Sequence, residues 1–469
     1  MPVRIRPARS SFKSRASDGD ARPDNRLALL DQTLFDSHRA AGQKEIMQVV
    51  WVYEHAIDFD GLRRFHHNLG HGLLGRRIER SPLPFGRHRW VLDRGPSDID
   101  IAEHARPRSE LSDWADERSQ LPVDPESGPG WHVGVLPLTD GSTAVSLVVS
   151  HYVLDGLGLV VALIDAVMGN TRELGYPPPR SRSRLRAVVE DVRQTVQDAP
   201  QVARAVGAAA KLAREQAGRR RNSARLPASS PVAGSGDDGD DVIIVPGITI
   251  SIDVDEWDAR ATALGGTSNT LVGGLAAKLA ERMGRRRADD GAVVLQLPIS
   301  ERAEGDTRAV AVSFARVSVD PTRVTTDLRD ARTEINQALT SLRQKGSEQQ
   351  PLWLTLFMPK PVLKRLADAA LSDPERPVFF SNLGGLGSVV CRLDGTDAEY
   401  ASARGPRQDV RRQWIERIGG QLNVLSMRLA GKIVITVLAY QPGGENTKPA
   451  LRELAAHTLA DFGLTGKIE

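Results

Sequence analysis

The chain has 469 residues, with 62 Lys and Arg against 59 Asp and Glu and a formal net charge of +3. A balance so close to neutral argues against a nucleic-acid-binding protein, and a single cysteine excludes both a disulfide framework and a cysteine-based zinc site. No apolar run approaches the ~20 residues that span a bilayer, so the composition indicates a cytoplasmic protein, with peripheral contact at the inner face of the membrane as the alternative.

The first third of the chain predicts a polar tail followed by a lobe of strands and helices. Residues 1–26 are rich in Arg and Ser and lack an apolar segment, which indicates a disordered tail. Apolar and β-branched runs then define a lobe over residues 27–176. Its predicted elements are a buried strand at Ile46–Tyr53, a helix that Asp60 caps, strands at Trp131–Leu138 and Thr143–Ser150 joined by an Asp-Gly turn, and a helix at Leu157–Met168.

Residues 177–241 predict a linker that contains a basic amphipathic helix. The linker opens with three consecutive prolines and closes in a stretch of Ser, Gly and Asp. Between them, apolar residues recur at helical spacing from Leu185 to Ala213, with Arg and Lys elsewhere around the helix. Such a helix packs on its own protein or lies on an anionic membrane surface, and we expect the first. The basic run Arg219–Arg221 and the acidic run Asp237–Asp241 predict a disordered loop.

Residues 242–469 predict a second lobe that again mixes strand pairs with helices. Its predicted elements are a strand from Val242, helices at Glu256–Leu264 and Asn269–Arg285, strands at Val293–Pro298, Ala311–Val319, Val378–Asn382 and Val389–Leu393, a hairpin of Gln421–Leu429 and Lys432–Tyr440, and a helix at Pro449–Phe462. Neither half shows the regular strand-helix alternation of a doubly wound sheet. We therefore expect two α/β lobes with mixed sheets, joined by one long linker.

The strongest functional motif is SLVVSHYVLDGLG. It places His151 where an apolar strand ends and Asp155-Gly156 in the turn that follows. Neutral imidazole, with a pKa near ~6.5, can take a proton from a hydroxyl group at pH 7. Asp155 can shape the turn through hydrogen bonds to the backbone, or it can pair with an arginine. From the spacing alone, a strand-end histidine satisfied by the backbone is an equally good interpretation.

Several segments, taken together, resemble one enzyme family. They are Pro129-Gly130-Trp131, Ser150-His151 with Asp155-Gly156, DEWDARATALGGTSNTLVGGLAAKLAERM, LQLPISER, FFSNLGGLG and QLNVLSMRLAGKIVITV. In this order they resemble the CoA-dependent acyltransferase superfamily, which has the chloramphenicol acetyltransferase fold, and they are most similar to the bacterial wax ester synthase/diacylglycerol acyltransferases, relatives of condensation domains. The resemblance runs from Leu27 to about Phe462. It implies a two-lobed fold with pseudo-repeated lobes, a long linker and a tunnel between the lobes.

The resemblance also implies roles for individual residues. The general base of the family's HHxxxDG motif maps onto His151, and the motif's aspartate, Asp155, steers the loop while Gly156 permits close approach. An acyl group would pass directly from acyl-CoA, a co-substrate rather than a permanently bound cofactor, to the hydroxyl group of a lipid-like or natural-product alcohol. The candidates for binding the oxyanion or the acceptor are Asn269, Asn382 and Ser381. Trp131 belongs to the motif that precedes the strand pair.

Departures from the family pattern leave other functions open. Ser150 stands where the family has its first motif histidine, and Asn269-Thr270 stands where it has Asn-Asp. One alternative is a condensation enzyme that takes its acyl group from an acyl carrier protein and forms an ester or an amide. Another is a non-catalytic homologue that binds a lipid or a protein partner. The presence of His151 and Asp155 favours catalysis, because a non-catalytic protein does not need the base.

Three further patterns are interpreted as structural. His66, His67 and His71 include a pair four residues apart on one helix, but no third ligand is evident, so we expect no metal site. The glycine-rich segment Gly384–Gly387 lies between strands rather than opening a helix, which argues against a dinucleotide-binding loop. Cys391 alternates with apolar neighbours and predicts a buried core thiol rather than a nucleophile.

Overall fold

The computed structural model describes residues 25–222, 241–345, 358, 361–363, 365 and 373–469. Most of the predicted tail and the acidic residues Asp237–Asp240 lie outside the described residues. The helices are α1 Leu29–Ala40, α2 Phe59–Leu69, α3 Leu111–Gln120, α4 Gly156–Met168, α5 Arg184–Asn222, α6 Val254–Ala263, α7 Ser268–Arg282, α8 Arg329–Lys345, α9 Arg412–Arg417 and α10 Lys448–Asp461.

The strands occur singly and in consecutive groups between these helices. They are β1 Lys44–Tyr53, β2 Arg76–Glu79, β3 Arg89–Leu92, β4 Asp100–Ile101, β5 Trp131–Pro137, β6 Thr143–Ser150, β7 Val242–Ile243, β8 Gly247–Asp253, β9 Val293–Ser300, β10 Val312–Val319, β11 Val378–Gly385, β12 Tyr400–Arg404, β13 Arg407–Gln408, β14 Val410–Arg411, β15 Gln421–Leu429, β16 Lys432–Tyr440 and β17 Lys467–Ile468. The predicted mixed α/β fold is confirmed.

The first large sheet carries the histidine motif. Its strand order is β12-β1-β6-β5-β4, with β13 also pairing with β1. The hairpin β5–β6 is antiparallel and places Val133 opposite Leu147. Alternate residues of β1, among them Val49 and Trp51, point into a core that they share with α2 and α4. The end of β6 is therefore held rigidly between a sheet neighbour and a packed helix.

The second large sheet has the order β10-β9-β11-β15-β16-β8-β17. Strand β11 runs parallel to both β9 and β15, whereas β15, β16 and β8 form an antiparallel run. One face packs against α6, α7 and α10 through a core that includes Leu271, Leu275 and Phe462. The sheet is thus mixed, as the absence of regular strand-helix alternation predicts.

The second half of the chain also contributes to the first sheet. Strand β12 pairs antiparallel with β1, with Arg404 opposite Gln48, and β13 pairs with the start of the same strand. The side chain of Gln48 accepts a hydrogen bond from Arg404 Nε at 2.7 Å. A linear division of the chain at residue 242 does not describe this contribution, and the predicted domain boundaries stay a prediction.

The linker helix α5 differs from the expectation in two ways. It runs through Pro200 to Asn222, so Arg219–Arg221 belong to the helix and the prediction of a loop there was wrong. Over the described side chains, its buried positions are Ala187 and Asp191, while most of the apolar stripe between residues 185 and 196 faces solvent rather than the protein. The exposed members of that stripe are Leu185, Val189, Val192 and Val196. Among the described residues, no helix is long and apolar enough to cross a membrane.

Two local predictions were wrong for identifiable reasons. Helix α2 is capped by Asp58, whose carboxylate accepts the Asp60 backbone N–H at 3.0 Å, so the helix starts before the predicted cap. The predicted strand at Val389–Leu393 is a 3-10 turn over Ser388–Cys391. The Val390 carbonyl there accepts a hydrogen bond from Trp51 Nε1 at 2.8 Å, so a side chain and not a neighbouring strand satisfies it.

Candidate functional site

His151 lies in the turn that directly follows strand β6. Ser150, the last residue of the strand, is buried and pairs with Ile46 of β1. The backbone N–H of His151 donates to the Glu45 carbonyl at 3.0 Å, and its side chain is partly exposed. The backbone of His151 is therefore fixed, while its imidazole stays accessible from outside the core.

Asp155 is buried at the other end of the same turn and caps α4. Its Oδ1 accepts the Gly158 backbone N–H at 2.7 Å, and its Oδ2 accepts the Ala311 N–H at 2.8 Å. The guanidinium of Arg302 pairs with the carboxylate at 2.8 Å, and both side chains are at most 4% exposed. Asp155 thus faces Arg302 rather than open space, which makes it a positioning residue for the loop that carries His151.

Arg302 is itself held by backbone oxygen atoms. Its Nη1 donates to the Asp306 carbonyl at 3.0 Å, and its Nη2 donates to the Arg308 and Ala309 carbonyls at 3.1 Å and 3.0 Å. The Asp155 backbone N–H donates to the same Ala309 carbonyl at 2.8 Å. The turn after His151 is therefore fastened to the loop after β9 by several hydrogen bonds.

A second polar cluster adjoins His151 on the other side. The Glu45 carboxylate is paired with Arg407 at 2.8 Å. Burial of Glu45 works against its ionisation, but the charges of His38, which is protonated at acid pH, and of Arg407 lower its pKa to about 2. A carboxylate therefore persists close to the histidine, where it can stabilise an imidazolium ion.

Tyr152 and His38 complete this cluster. The Tyr152 hydroxyl lies 3.1 Å from His38 Nδ1 and accepts the Glu45 backbone N–H at 3.3 Å. Burial raises the pKa of Tyr152 and lowers the pKa of His38. Both side chains are therefore neutral at pH 7, and the charge beside His151 comes from Glu45 and Arg407.

The two asparagine candidates meet in a pocket of about 340 Å³ in the second lobe. Asn382 Nδ2 donates to Asn269 Oδ1 at 2.8 Å, and Asn382 Oδ1 accepts the Gly384 N–H at 2.7 Å. This arrangement uses the oxygen of Asn269 and leaves its Nδ2 hydrogens for other acceptors. Arg428 and Ser268 also line the pocket.

The asparagine pocket adjoins the histidine loop through Leu383. A Cβ atom at Gly156 would lie 3.2 Å from the Leu383 side chain, so the glycine lets β11 approach the start of α4. Ser381, two residues earlier, offers its backbone carbonyl to the Ser426 hydroxyl at 3.5 Å. Trp131 is fully buried and donates to the Leu74 carbonyl, so it supports the sheet rather than the site.

The comparisons with known proteins find structures but no sequence families. No protein-family model and no curated protein matches the sequence. The first condensation domain of the CDA synthetase matches with a TM-score of 0.54 and 12% identity, over 95% of this chain and 100% of that one. The wax ester synthase/diacylglycerol acyltransferase from Marinobacter aquaeolei VT8 matches with a TM-score of 0.53 and 15% identity, over 93% and 98%. The chain has the condensation-domain fold.

Two further matches extend this result. Polyketide synthase associated protein 5 from Mycobacterium tuberculosis has a TM-score of 0.51 and 15% identity, over 93% of this chain and 98% of that one. The nonribosomal peptide synthetase FmoA3 has a TM-score of 0.52 and 17% identity, over 95% of this chain but 44% of that one. These matches confirm the fold that the sequence resemblance implied.

Within the condensation-domain fold, the chain brings together residues that no sequence motif connects. Arg302 was visible in the segment LQLPISER, but nothing in the sequence indicated that it reaches Asp155. Glu45 and Arg407 lie 362 residues apart, and no local pattern connects them. Only the pairing of β13 with β1 places their side chains beside His151.

The patterns interpreted as structural occupy ordinary positions. His66 is buried with its ring 5.1 Å from that of Trp131, and burial lowers its pKa. The rings of His67 and His71 are 5.0 Å apart. Across the described part of the chain, no group of three or more His, Cys, Asp or Glu residues could hold a metal ion. Cys391 is buried, and burial raises its pKa to about 11.

Proposed function

We propose that this protein is an acyltransferase that moves an acyl group from acyl-CoA to a hydroxyl acceptor, with His151 as general base. The observation that carries the proposal is the anchoring of the His151 turn, fixed at one end by the Glu45 carbonyl and at the other by the Asp155–Arg302 pair. The similarity to the wax ester synthase/diacylglycerol acyltransferase supports the same reaction class.

The proposed reaction is a direct transfer. The imidazole of His151 takes the proton of the acceptor hydroxyl as its oxygen attacks the thioester carbonyl carbon. The tetrahedral oxyanion needs a hydrogen-bond donor, and Asn269 Nδ2 is the proposed source. The C–S bond then breaks, the thiolate takes the proton from the imidazolium ion, and the ester is released. Glu45 stabilises the imidazolium through its negative charge.

Acceptor-dependent release of free thiol tests this proposal. Acyl-CoAs from short to long are offered with a long-chain alcohol, a diacylglycerol or an amine, and the wild type is compared with His151→Ala. We expect release to fall by about 10²–10⁴-fold in His151→Ala, the usual contribution of a positioned base. The matched control is His104→Ala, because His104 is an exposed histidine outside the motif that carries His151. Equal rates in the wild type and His151→Ala would refute His151 as the base.

A condensation enzyme that uses an acyl carrier protein is the second candidate. The condensation domains among the structural matches favour it. The same assay separates the two, because a carrier-protein enzyme would transfer from an acyl-phosphopantetheinyl carrier protein but not from acyl-CoA. Absence of transfer from both donors, with acyl chains still bound, would indicate a non-catalytic lipid-binding protein.

A further inference from the structure

The exposed apolar stripe of helix α5 is a surface without a partner in the protein itself. Its members, Leu185, Val189, Val192 and Val196, are between 45% and 79% exposed. At ~100° per residue, the four positions fall within an arc of about 60° on one side of the helix. Single exposed apolar side chains are ordinary, but a continuous row of them indicates a surface that another body covers.

The helix is attached to the protein by its opposite side. Ala187 and Asp191 are buried, and they lie about 130–170° around the helix from the middle of the stripe. Arg182 Nη1 donates to the Asp191 carboxylate at 2.7 Å, and the Ser81 hydroxyl donates to it at 2.5 Å. The stripe therefore stays open while the helix is held in place.

Arginine residues flank the stripe on both sides. Arg193 and Arg204 lie about 70–90° from its middle on one side, and Arg184 lies about 110° from it on the other. All three side chains are exposed. Among the residues that the structure describes, none is within ion-pair distance of the three guanidinium groups. Their charges are therefore available to a partner that approaches the stripe.

The acidic residues of the helix do not cancel this charge. Glu190 is paired with Arg186 at 2.7 Å, and Asp198 is paired with Arg26 at 3.5 Å. Over its whole length, α5 has nine Lys and Arg against four Asp and Glu, a net charge of +5, whereas the rest of the chain carries −2. The net positive charge of the protein is thus concentrated on the helix that carries the stripe.

An aliphatic stripe between arginines fits the surface of an anionic lipid bilayer. The aliphatic side chains enter the boundary between headgroups and acyl chains, while the guanidinium groups stay level with the lipid phosphates. A nucleic acid would pair with the arginines but leave the aliphatic side chains in water. A second copy of the chain would cover the stripe but bring together two helices that each carry +5.

We infer that α5 is a membrane-docking helix, whose exposed apolar stripe lies in the interface of a bilayer that contains anionic phospholipids. The helix lies along the surface, and its opposite side keeps the rest of the protein attached. The flanking arginines bind the phosphate groups of the lipids. This inference does not depend on acyl transfer at His151.

Co-sedimentation of the full chain with lipid vesicles tests the inference. Vesicles of equal parts phosphatidylglycerol and phosphatidylcholine are compared with vesicles of phosphatidylcholine alone, in about 0.1 M NaCl. We expect at least tenfold tighter binding to the anionic vesicles, since each arginine near such a surface contributes about fivefold. Binding should weaken at about 0.5 M NaCl, because salt screens this attraction.

Two double variants separate the apolar and the charged parts of the surface. Val189→Ser with Val196→Ser should weaken binding to anionic vesicles by about tenfold, because two side chains lose their burial in the interface. Arg193→Gln with Arg204→Gln should weaken it by about 30-fold and leave phosphatidylcholine binding unchanged. The matched control is Gln197→Ser, an exposed position outside the stripe, which should bind like the wild type. Unchanged thermal midpoints show that the variants are folded.

A fluorescent label reports whether the stripe enters the bilayer. Cys391 is the single cysteine of the chain and is buried, so a cysteine introduced on the helix surface is labelled selectively. The environment-sensitive dye NBD on Val196→Cys should shift its emission to the blue with anionic vesicles. The same dye on Gln194→Cys, about 160° around the helix, should not shift.

The inference is overturned if the wild type does not bind anionic vesicles, if phosphatidylcholine vesicles bind it equally well, or if the double valine variant binds like the wild type. Sedimentation velocity without lipid tests the competing occupant. A dimer of the wild type that is absent in the double valine variant would assign the stripe to a second copy of the chain, and would overturn the inference as well.

Discussion

At the scale of residues, the pair formed by Asp155 and Arg302 determines how firmly the His151 turn is held. Both side chains are buried, and the carboxylate also accepts two backbone N–H groups. A buried pair is costly to form but far more costly to break, because the remaining charge loses its partner. The pair therefore has more influence on the position of His151 than on net stability.

Replacing Arg302 tests how costly it is to break this buried pair. Arg302→Met leaves the Asp155 carboxylate unpaired, and we expect the free energy of unfolding to fall by about 3–5 kcal/mol. The matched control, Arg308→Met, removes a neighbouring pair with Asp306 at a partly exposed site and should cost about 1 kcal/mol or less. Urea unfolding of the two variants provides the comparison.

A second variant distinguishes an unpaired charge from lost packing. Asp155→Asn combined with Arg302→Met removes both charges, so it should recover part of the stability that Arg302→Met loses. Acyl transfer should stay impaired in the double variant, because the turn after His151 has lost its anchor. Equal losses in the Arg302→Met and Arg308→Met variants would contradict this account.

Sequence patterns at this scale identify residues that act through local geometry. The placement of His151 and Asp155 in one strand-turn-helix segment could be predicted, whereas their roles in catalysis stay predictions. Arg302 is part of the segment LQLPISER, which resembles a strand of the family, but its contact with Asp155 could not be predicted. Glu45 and Arg407 belong to no motif. Their roles come from contacts between distant segments, and the hydrogen-bonding capacity of a side chain does not specify which segment it will meet.

At the scale of elements, the apolar periodicity of α5 predicts the helix correctly but predicts the wrong face as buried. The apolar spacing predicted the helix, but Leu185 and Val189 are among its most exposed residues. The face toward the protein instead carries Asp191, which accepts hydrogen bonds from Arg182 at 2.7 Å and Ser81 at 2.5 Å. Polar contacts therefore fix the described part of this helix, and hydropathy alone does not reveal them.

This arrangement predicts that replacing a buried polar residue of the helix destabilises the protein more than replacing an exposed apolar residue. Val189→Ser removes an exposed apolar side chain and should change the free energy of unfolding by less than about 0.5 kcal/mol. Asp191→Ala leaves the buried Arg182 guanidinium without this partner and should cost about 2–4 kcal/mol. Thermal or urea unfolding of the two variants checks the order. A larger loss in Val189→Ser would show that the apolar stripe is the packed face.

At the scale of the whole molecule, the sheet of the first half is completed by strands from the second half. Strand β1 of the first half pairs with β12 and β13 of the second half, and the Glu45–Arg407 ion pair lies on this junction. The predicted list of strands omitted β12 and β13 because they are short and polar. Mixed sheets could be predicted from the order of elements, but the identity of the strand next to β1 could not.

The ion pair at this junction predicts a dependence of stability on pH. The Glu45 carboxyl has its pKa lowered from 4.5 to about 2 in the folded protein, so its stabilisation is complete above pH 4.5 and is lost as the pH falls toward 2. Glu45→Gln should lower the free energy of unfolding by about 2 kcal/mol at pH 7. The difference between the wild type and the variant should shrink between pH 4.5 and 2.

Denaturant unfolding across this pH range measures the effect. Glu304→Gln serves as the control, because Glu304 is exposed on a loop of the second half and its removal should leave the pH profile unchanged. A difference between the wild type and Glu45→Gln that stays constant down to pH 2 would contradict the assigned ion pair.

The pairing of β12 with β1 also has a consequence for biosynthesis. Gln48 and its partner Arg404 are 356 residues apart, and translation at ~5–20 residues per second separates their appearance by about 20–70 s. Throughout that interval the edge of β1 that faces away from β6 has no permanent neighbour on the nascent chain. An open strand edge of this kind attracts other chains, so the ribosome-bound protein is a natural client for chaperones that shield exposed strands until the last hundred residues are made.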